Sequence, residues 1–433
     1  MDTMQYSPRW LGTGAVLGIC LVMSLTGCDS LPNLPTPEPP PVQPNECPSW
    51  AANQTITITQ NTTLPKGCYY NKVSFVIQDS NITFDCNDAV LNGSGFANKN
   101  PDFIPYAEAN LPANIAIQIA SPEGRAIGDI TIRNCQIKNY VDGVRIKSVL
   151  NNATIAQLKS AADGFAIEES LRKGAPQNIQ LQNLSIVDSH KHGIYLDRYV
   201  HHVSIVSGSI KHSGNSAIYL ESGTQNISIR QMLLEHNGHS SYDRDKKMSL
   251  PRLGDAQREA IAVDSSANNE IVGNTFRDNA GGGVFLYKNC YEKHTEVPQM
   301  PRLQHSDNNV ISDNQFFDEE TGVWIASRQS RDLASFNCGD PVVYREAGQQ
   351  FYEDFAEHNR VSGNTFTNVE AGVKIEDDNN QVINNRFTGK AGVDIQVGSR
   401  VRSALKHPIQ GVDLNGNVHQ SSSHPAVMLL PLN

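Results

Sequence analysis

The sequence predicts a β-solenoid, and two observations carry that prediction. A short phrase, small–apolar–any–apolar, recurs along the chain. It reads Gly143-Val-Arg-Ile146, Gly164-Phe-Ala-Ile167, Gly193-Ile-Tyr-Leu196, Ala217-Ile-Tyr-Leu220, Ala260-Ile-Ala-Val263, Gly283-Val-Phe-Leu286, Gly322-Val-Trp-Ile325, Gly372-Val-Lys-Ile375 and Gly392-Val-Asp-Ile395. Self-similarity at a spacing of tens of residues means stacked repeats. The alternation of apolar and free positions is strand periodicity, so each repeat is a strand-bearing coil.

Two further strands complete the coil. One precedes an asparagine, as in Asp129-Ile-Thr-Ile132, Asn178-Ile-Gln-Leu181 and Asn226-Ile-Ser-Ile229. The other follows it, as in Asn274-Thr-Phe276, Asn314-Gln-Phe316, Asn364-Thr-Phe366 and Asn385-Arg-Phe387. Asparagine tolerates the left-handed backbone of a sharp corner, and its amide can bond to a neighbouring coil. Asn134, Asn183, Asn274, Asn314, Asn364 and Asn385 are therefore expected to form one internal ladder. Phe276, Phe316, Phe366 and Phe387 share a register and should stack inside.

Three short strands, an asparagine corner and the Gly-φ-x-φ strand (φ, apolar) resemble the right-handed parallel β-helix repeat of pectate lyases, polygalacturonases and carbohydrate-binding β-helix proteins. The resemblance covers roughly residues 75–420. It implies fold rather than reaction, because function resides in sites grafted onto folds.

The N-terminus reads as an export signal over residues 1–27: Arg9 precedes the apolar run Ala15–Leu25, too short for a membrane span. The run ends in Leu25-Thr26-Gly27-Cys28, which resembles the lipobox of bacterial lipoproteins and implies lipidation of Cys28. Residues 28–46 are proline-rich and suit an extended spacer. A β-helix domain is then expected over 47–433, on a monomeric protein anchored in the cell envelope. An apolar tail, Val427 to Leu430, could cover the open C-terminal end.

The net charge of −10 argues against nucleic acid as partner. Of eight cysteines, Cys20 lies in the signal and Cys28 is the lipidation site. The other six allow 15 pairings. Proximity along a solenoid favours Cys47–Cys68, Cys86–Cys135 and Cys290–Cys338, in an oxidising compartment.

Within each Gly-φ-x-φ strand the apolar residues point inward, and the residue between them and the one after point outward. Outward pairs are then Arg145/Lys147, Ala166/Glu168, Tyr195/Asp197, Tyr219/Glu221, Ala262/Asp264, Phe285/Tyr287, Trp324/Ala326, Lys374/Glu376 and Asp394/Gln396. Tyr195, Tyr219, Phe285, Tyr287 and Trp324 make an apolar patch of the kind that marks a binding surface, suited to the flat faces of sugars in an extended polysaccharide. Insertions at 237–258, 289–307 and 328–358 should wall this face into a groove.

Asp197, Glu221 and Asp264 should line up on neighbouring coils, about 4.8 Å apart. Such acids suit a nucleophile with an acid/base partner, or a Ca²⁺ site. Arg198, Lys288 and Arg328 follow the strand ends and could meet acidic sugars. β-Helix alginate and chondroitin lyases are similar in using a Lys/Arg pair beside Ca²⁺, a resemblance that implies Lys288 as base and Arg328 as acid. The paired aspartates and Gly-His-Gly segment of polygalacturonases are absent, as is the Asp-Pro-His-Asp motif of alginate epimerases, which Asp188-Ser-His190 only partly echoes. His190 and His192 are candidate bases. His201 and His202 should point apart if extended. The rival reading is a non-catalytic glycan-binding scaffold, or an accessory factor resembling the periplasmic β-helix proteins of metal-centre assembly.

Overall fold

Parallel strands wind into a β-helix in which every coil bonds to the next. The computed structural model describes residues 46–93, 115–120, 125–148, 150, 152–160, 164–238, 240–243, 248–251, 257–292 and 302–430. Residues 1–45, on which the expected export signal, Cys28 and most of the expected spacer fall, lie outside them.

The Gly-φ-x-φ strands form one twelve-stranded parallel sheet. Its register runs Val144↔Ile194↔Ile218↔Ile261↔Val284↔Val323↔Val373. These residues and their i+2 partners are fully buried in one continuous core. The small residue that opens the phrase has a packing reason. A Cβ on Gly283 would lie 2.5 Å from the Phe316 ring and 2.6 Å from the carbonyl of Gly322; at Gly322 the Phe366 ring intrudes in the same way. Glycine here is the complement of phenylalanine across the coil.

Two phrases depart from expectation. Gly164-Phe-Ala-Ile167 is not a strand: it opens the helix Gly164–Lys173, which with the helix Asn152–Ser160 forms an insertion between coils. Glu168 therefore leaves the outward row and lies buried, accepting a hydrogen bond from Tyr199 at 3.3 Å. In the Gly392 phrase the register is shifted. Val373 pairs with Ile395 and Lys374 with Gln396, so Asp394 aligns with Gly372. Asp394 is 1% exposed, not outward, and binds His419 Nδ1 (2.8 Å) and Ser421 Oγ (2.5 Å).

The phenylalanine stack forms as expected, with ring centroids 4.6, 4.8 and 4.9 Å apart. It ends on His419, parallel to Phe387 at 5.4 Å. This polar rung, fixed by Asp394, terminates the stack. The apolar tail meets the end as a strand: Val427–Leu429 adds to the sheet and Val427 packs against the core, leaving Leu429 69% exposed. At the other end Trp50 packs on Tyr70 and Phe75, beside the Cys47–Cys68 bridge. Cys86–Cys135 and Cys290–Cys338 also form.

The asparagine ladder differs from the expected one. Asn274, Asn314, Asn364, Asn385 and Asn417 bond rung to rung at 3.0–3.1 Å, all but Asn417 being buried. Asn134 and Asn183 sit one position earlier in register. Gln182 pairs with Val206 and Arg230, and Arg230 with Val272, so Asn183 aligns with Gly273. Both adopt positive φ (56° and 51°) on the outer surface and bond to each other. The left-handed corner and the amide ladder thus occupy consecutive positions. A second buried ladder, Asn269–Asn309–Asn359–Asn380, runs five residues upstream of the first. A third, Asn237–Asn279–Glu319, runs five downstream.

Asn314 saturates four buried groups, so Asn314→Ala strands several donors and acceptors at about 1–3 kcal/mol each. Urea unfolding should show a loss above about 3 kcal/mol, against under about 1 kcal/mol for exposed Asn183→Ala.

Candidate functional site

The register sets out two outward columns on the first sheet. One carries Arg145, Tyr195, Tyr219, Ala262, Phe285, Trp324 and Lys374; the other carries Lys147, Asp197, Glu221, Asp264, Tyr287 and Glu376, whereas Ala326, expected in it, has φ of 60° and lies in the core. In the first column Arg145 lies 4.6 Å over Tyr195, and Tyr195 stacks on Tyr219 at 5.1 Å. Ala262 interrupts the row, and Phe285 then meets Trp324 edge-on at 5.3 Å.

Side chains cross diagonally from one coil to the acid of the next. Arg145 bonds Asp197 at 2.9 Å, Tyr195 OH bonds Glu221 at 2.8 Å, and Tyr219 OH bonds Asp264 at 2.8 Å. The three acids are brought together in a line, as expected. Arg302, not singled out in the sequence, lies over two of them: its Nη1 donates to Glu221 and, at 2.6 Å, to Asp264.

Arg302 belongs to an extended strap with alternate residues turned in. Gln304 donates to the carbonyls of Thr224 and Ser265, both at 2.8 Å. Ser306 reaches those of Val263 and Tyr287. The alternation Arg302-x-Gln304-x-Ser306 is the sequence signal, legible only once the strap is known to run along the coil edge.

The electrostatics separate the two acids. Burial opposes the charge on Glu221, but Arg302 and then Arg198, whose Nε is 3.7 Å away, outweigh it and hold the carboxyl down to about 2. Burial pushes Asp264 up to about 6, against Arg302 and reinforced by the negative charge of Glu221. Burial also raises Asp197, against Arg145. Calcium, considered for this triplet, meets acids already neutralised by arginine.

Other expected site residues lie elsewhere or deeper. Phe285 and Tyr287 are 2% and 5% exposed, and Tyr287 OH is bonded to Glu259 at 2.7 Å. They are covered rather than open platforms, leaving Tyr195, Tyr219 and Trp324 half-buried. Lys288 and Arg328 are buried in ion pairs. Asp340 accepts from Lys288 at 2.8 Å and from Arg328 at 3.1 Å, and Asp354 accepts from the backbone N–H of both. Both cations lie beside the Cys290–Cys338 bridge and the short ladder Tyr291↔Asn337, Glu292↔Phe336. They tie the insertion to the coils, in place of the base and acid roles expected of them.

His192 is buried beside the tyrosines, its ring 4.9 Å from Tyr195 and its Nδ1 3.2 Å from Asp142; burial holds its pKa down. His201 and His202 do not point apart: His202 has φ of 54°, which brings the two Nδ1 atoms to 2.6 Å. Tyr242 and Asp243 lie on the hairpin Ser240–Asp243/Met248–Pro251, whereas Lys246 and Lys247 fall outside the described residues.

A family profile described as "Right handed beta helix region" matches residues 116–297. The solenoid is a right-handed parallel β-helix. A second profile, "Periplasmic copper-binding protein (NosD)", matches residues 254–405. Among solved structures, the catalytic domain of a GH87 alpha-1,3-glucanase in complex with nigerose aligns over 88% of this chain and 62% of its own, at 11% identity and TM-score 0.34. A mutant of the periplasmic alginate epimerase AlgG aligns over 88% and 78%, at 10% identity and TM-score 0.43. Endo-xylogalacturonan hydrolase from Aspergillus tubingensis aligns over 88% and 87%, at 11% and 0.42. The chain thus spans under two thirds of the glucanase domain. Comparison with curated proteins gives no match.

Glu376, in the second column, is 1% exposed, and burial pushes its carboxyl up to about 8. Between its ordinary value of 4.5 and about 8 the folded protein keeps a proton that the unfolded chain releases. Its contribution to stability is therefore full below about 4.5 and declines as pH rises through that window. Thermal melts of wild type and Glu376→Gln should show a Tm that falls from pH 5 to pH 8.5, less steeply in the variant.

Proposed function

We propose that this chain binds an extended cell-envelope polysaccharide along the Gly-φ-x-φ face and cleaves it at the Glu221–Asp264 pair. The observation that carries this reading is geometric: Glu221 and Asp264, on adjacent coils, share Arg302 Nη1 beside the Tyr195–Tyr219 stack, and burial raises Asp264 while Arg302 and Arg198 hold Glu221 down. Such a pair is what general acid and nucleophile or base require. Adjacent coils set the acids about 5 Å apart, the separation of a retaining pair. The half-buried Tyr195–Tyr219 stack supplies a sugar platform beside them, and Arg198 lies within reach of the same glycan. Arg302 has to yield its hydrogen bonds to the incoming sugar for Asp264 to reach a glycosidic oxygen.

An envelope location is supported by the export signal and Cys28 lipobox pattern, and by three disulfides, which persist in oxidising compartments. No helix among the described residues is long and apolar enough to cross a membrane. Copper, which one family profile's name brings in, finds no group of three imidazole or sulfur ligands among the described residues, where His201 and His202 offer two imidazoles. Copper favours imidazole and sulfur ligands. Among the described residues, the group that could gather three ligand atoms is all-oxygen, Glu357 with Asp377 and Asp378, and Arg402 binds both aspartates.

The pinned strap favours a second reading, a scaffold that binds glycan without turnover, because Arg302 then stays on the acids. Incubation with neutral and uronate-containing polysaccharides, with products read by mass spectrometry, separates the two. Cleavage predicts hydrated fragments, activity that declines above about pH 6 as Asp264 loses its proton, and a loss of 100-fold or more in Asp264→Asn with binding retained. Fragments with an unsaturated end would overturn the acid assignment. An intact panel with binding lost in Tyr219→Ala would leave the scaffold.

A further inference from the structure

Three coils beyond Glu221, the same face carries a second constellation. Lys374 pairs in register with Trp324, and its Nζ stands 4.3 Å from the indole centroid. Arg331, from the turn after the Trp324 strand, reaches the same indole at 5.4 Å and Phe285 at 5.8 Å. All three side chains are half-buried. Among the described residues neither cation has a carboxylate within ion-pair distance; Glu320 and Glu370 act on Lys374 only from farther away.

Of the other cations on the face, Lys147 likewise lacks an ion pair among the described residues, but four are paired. Arg145, Arg302, Lys288 and Arg328 are each matched by an aspartate or glutamate. Glu376, two residues from Lys374, is the largest acidic influence on it, yet it makes no ion pair with it and its Oε1 accepts from Ser330 Oγ at 2.7 Å. Two like charges are thus held together on one indole, partly removed from water. Burial and Arg331 both weigh against the charge on Lys374, with burial the larger cause. Cation–π contact only partly offsets the cost of desolvating an unmatched charge. With both cations over the ring, the indole is not the open sugar platform expected from the sequence.

We propose that Trp324, Lys374 and Arg331 form a subsite for an anionic substituent, a carboxylate or sulfate carried by a sugar of the bound chain. The proposal rests on the glycan-binding reading and adds its substrate class. An anion near both cations relieves their repulsion and supplies the counter-charge that no carboxylate gives them at ion-pair distance. At about 4.8 Å per coil the subsite lies roughly 14 Å from the Glu221–Asp264 pair, so one extended chain can occupy both.

The test is a fluorescence titration of the full chain, whose tryptophans are Trp10, Trp50 and Trp324. The probes are oligogalacturonate, a sulfated chondroitin oligosaccharide and a neutral cello-oligosaccharide. The expected result is a saturable signal with one of the anionic probes, lost in Trp324→Phe, and at least tenfold weaker binding in both Lys374→Met and Arg331→Gln, each checked for folding by circular dichroism. The responding probe distinguishes carboxylate from sulfate. Equal affinity of wild type and both variants for every glycan that binds would overturn the subsite and leave glycan binding intact. No binding to any probe by calorimetry would count against both.

Discussion

Everything on the candidate face depends on the hydrogen-bonded register between coils. A parallel β-helix has no freedom to slide one coil against the next by a single residue, because that slip exchanges every inward side chain for an outward one. Here the register is pinned from inside by buried asparagine amides bonding coil to coil, and by phenylalanine rings at the same repeat. Each amide satisfies the backbone carbonyl of one coil and the amide of another, so its partners exist in one register only. The columns of tyrosines and acids on the outside inherit their spacing from this internal lattice.

On that lattice one arginine decides the chemistry. Without Arg302, two buried acids on adjacent coils would repel, and both would be pushed towards the neutral form. With it, Glu221 is held charged while burial keeps Asp264 above its ordinary value. The strap that delivers Arg302 is fixed by Gln304 and Ser306 to backbone carbonyls at the coil edge, so the guanidinium is placed by backbone geometry. The same principle recurs at Asp354, which receives the backbone of two insertions and partners Arg328. Insertions in this protein are stitched down by polar side chains, and this stitching covers Phe285, Tyr287, Lys288 and Arg328 on the sheet edge.

The fold was legible in the sequence because its signals are periodic. Alternation of apolar residues gives strands, and recurrence of the phrase gives coils. Errors came where period and register part. Gly164-Phe-Ala-Ile167 has the right letters inside a helix, and Gly392 has them two residues out of register. Asn183 and Asn274 look equivalent, yet one makes the left-handed corner and the other the ladder. The line of Asp197, Glu221 and Asp264 was legible because it lies on the repeat. Arg302, Asp340 and Asp354 were not, since they sit on insertions whose paths the repeat does not constrain. Lys288 and Arg328 looked like free cations for the same reason: their partners come from an insertion.

The central claim is that the outward columns carry the glycan. Amide hydrogen exchange with and without a bound oligosaccharide tests it most directly. The account predicts added protection at the strand ends around 195–198 and 219–222, and at the strap 302–306. Protection confined to the outer corners around 183, 207 and 231, with the strap unchanged, would contradict it.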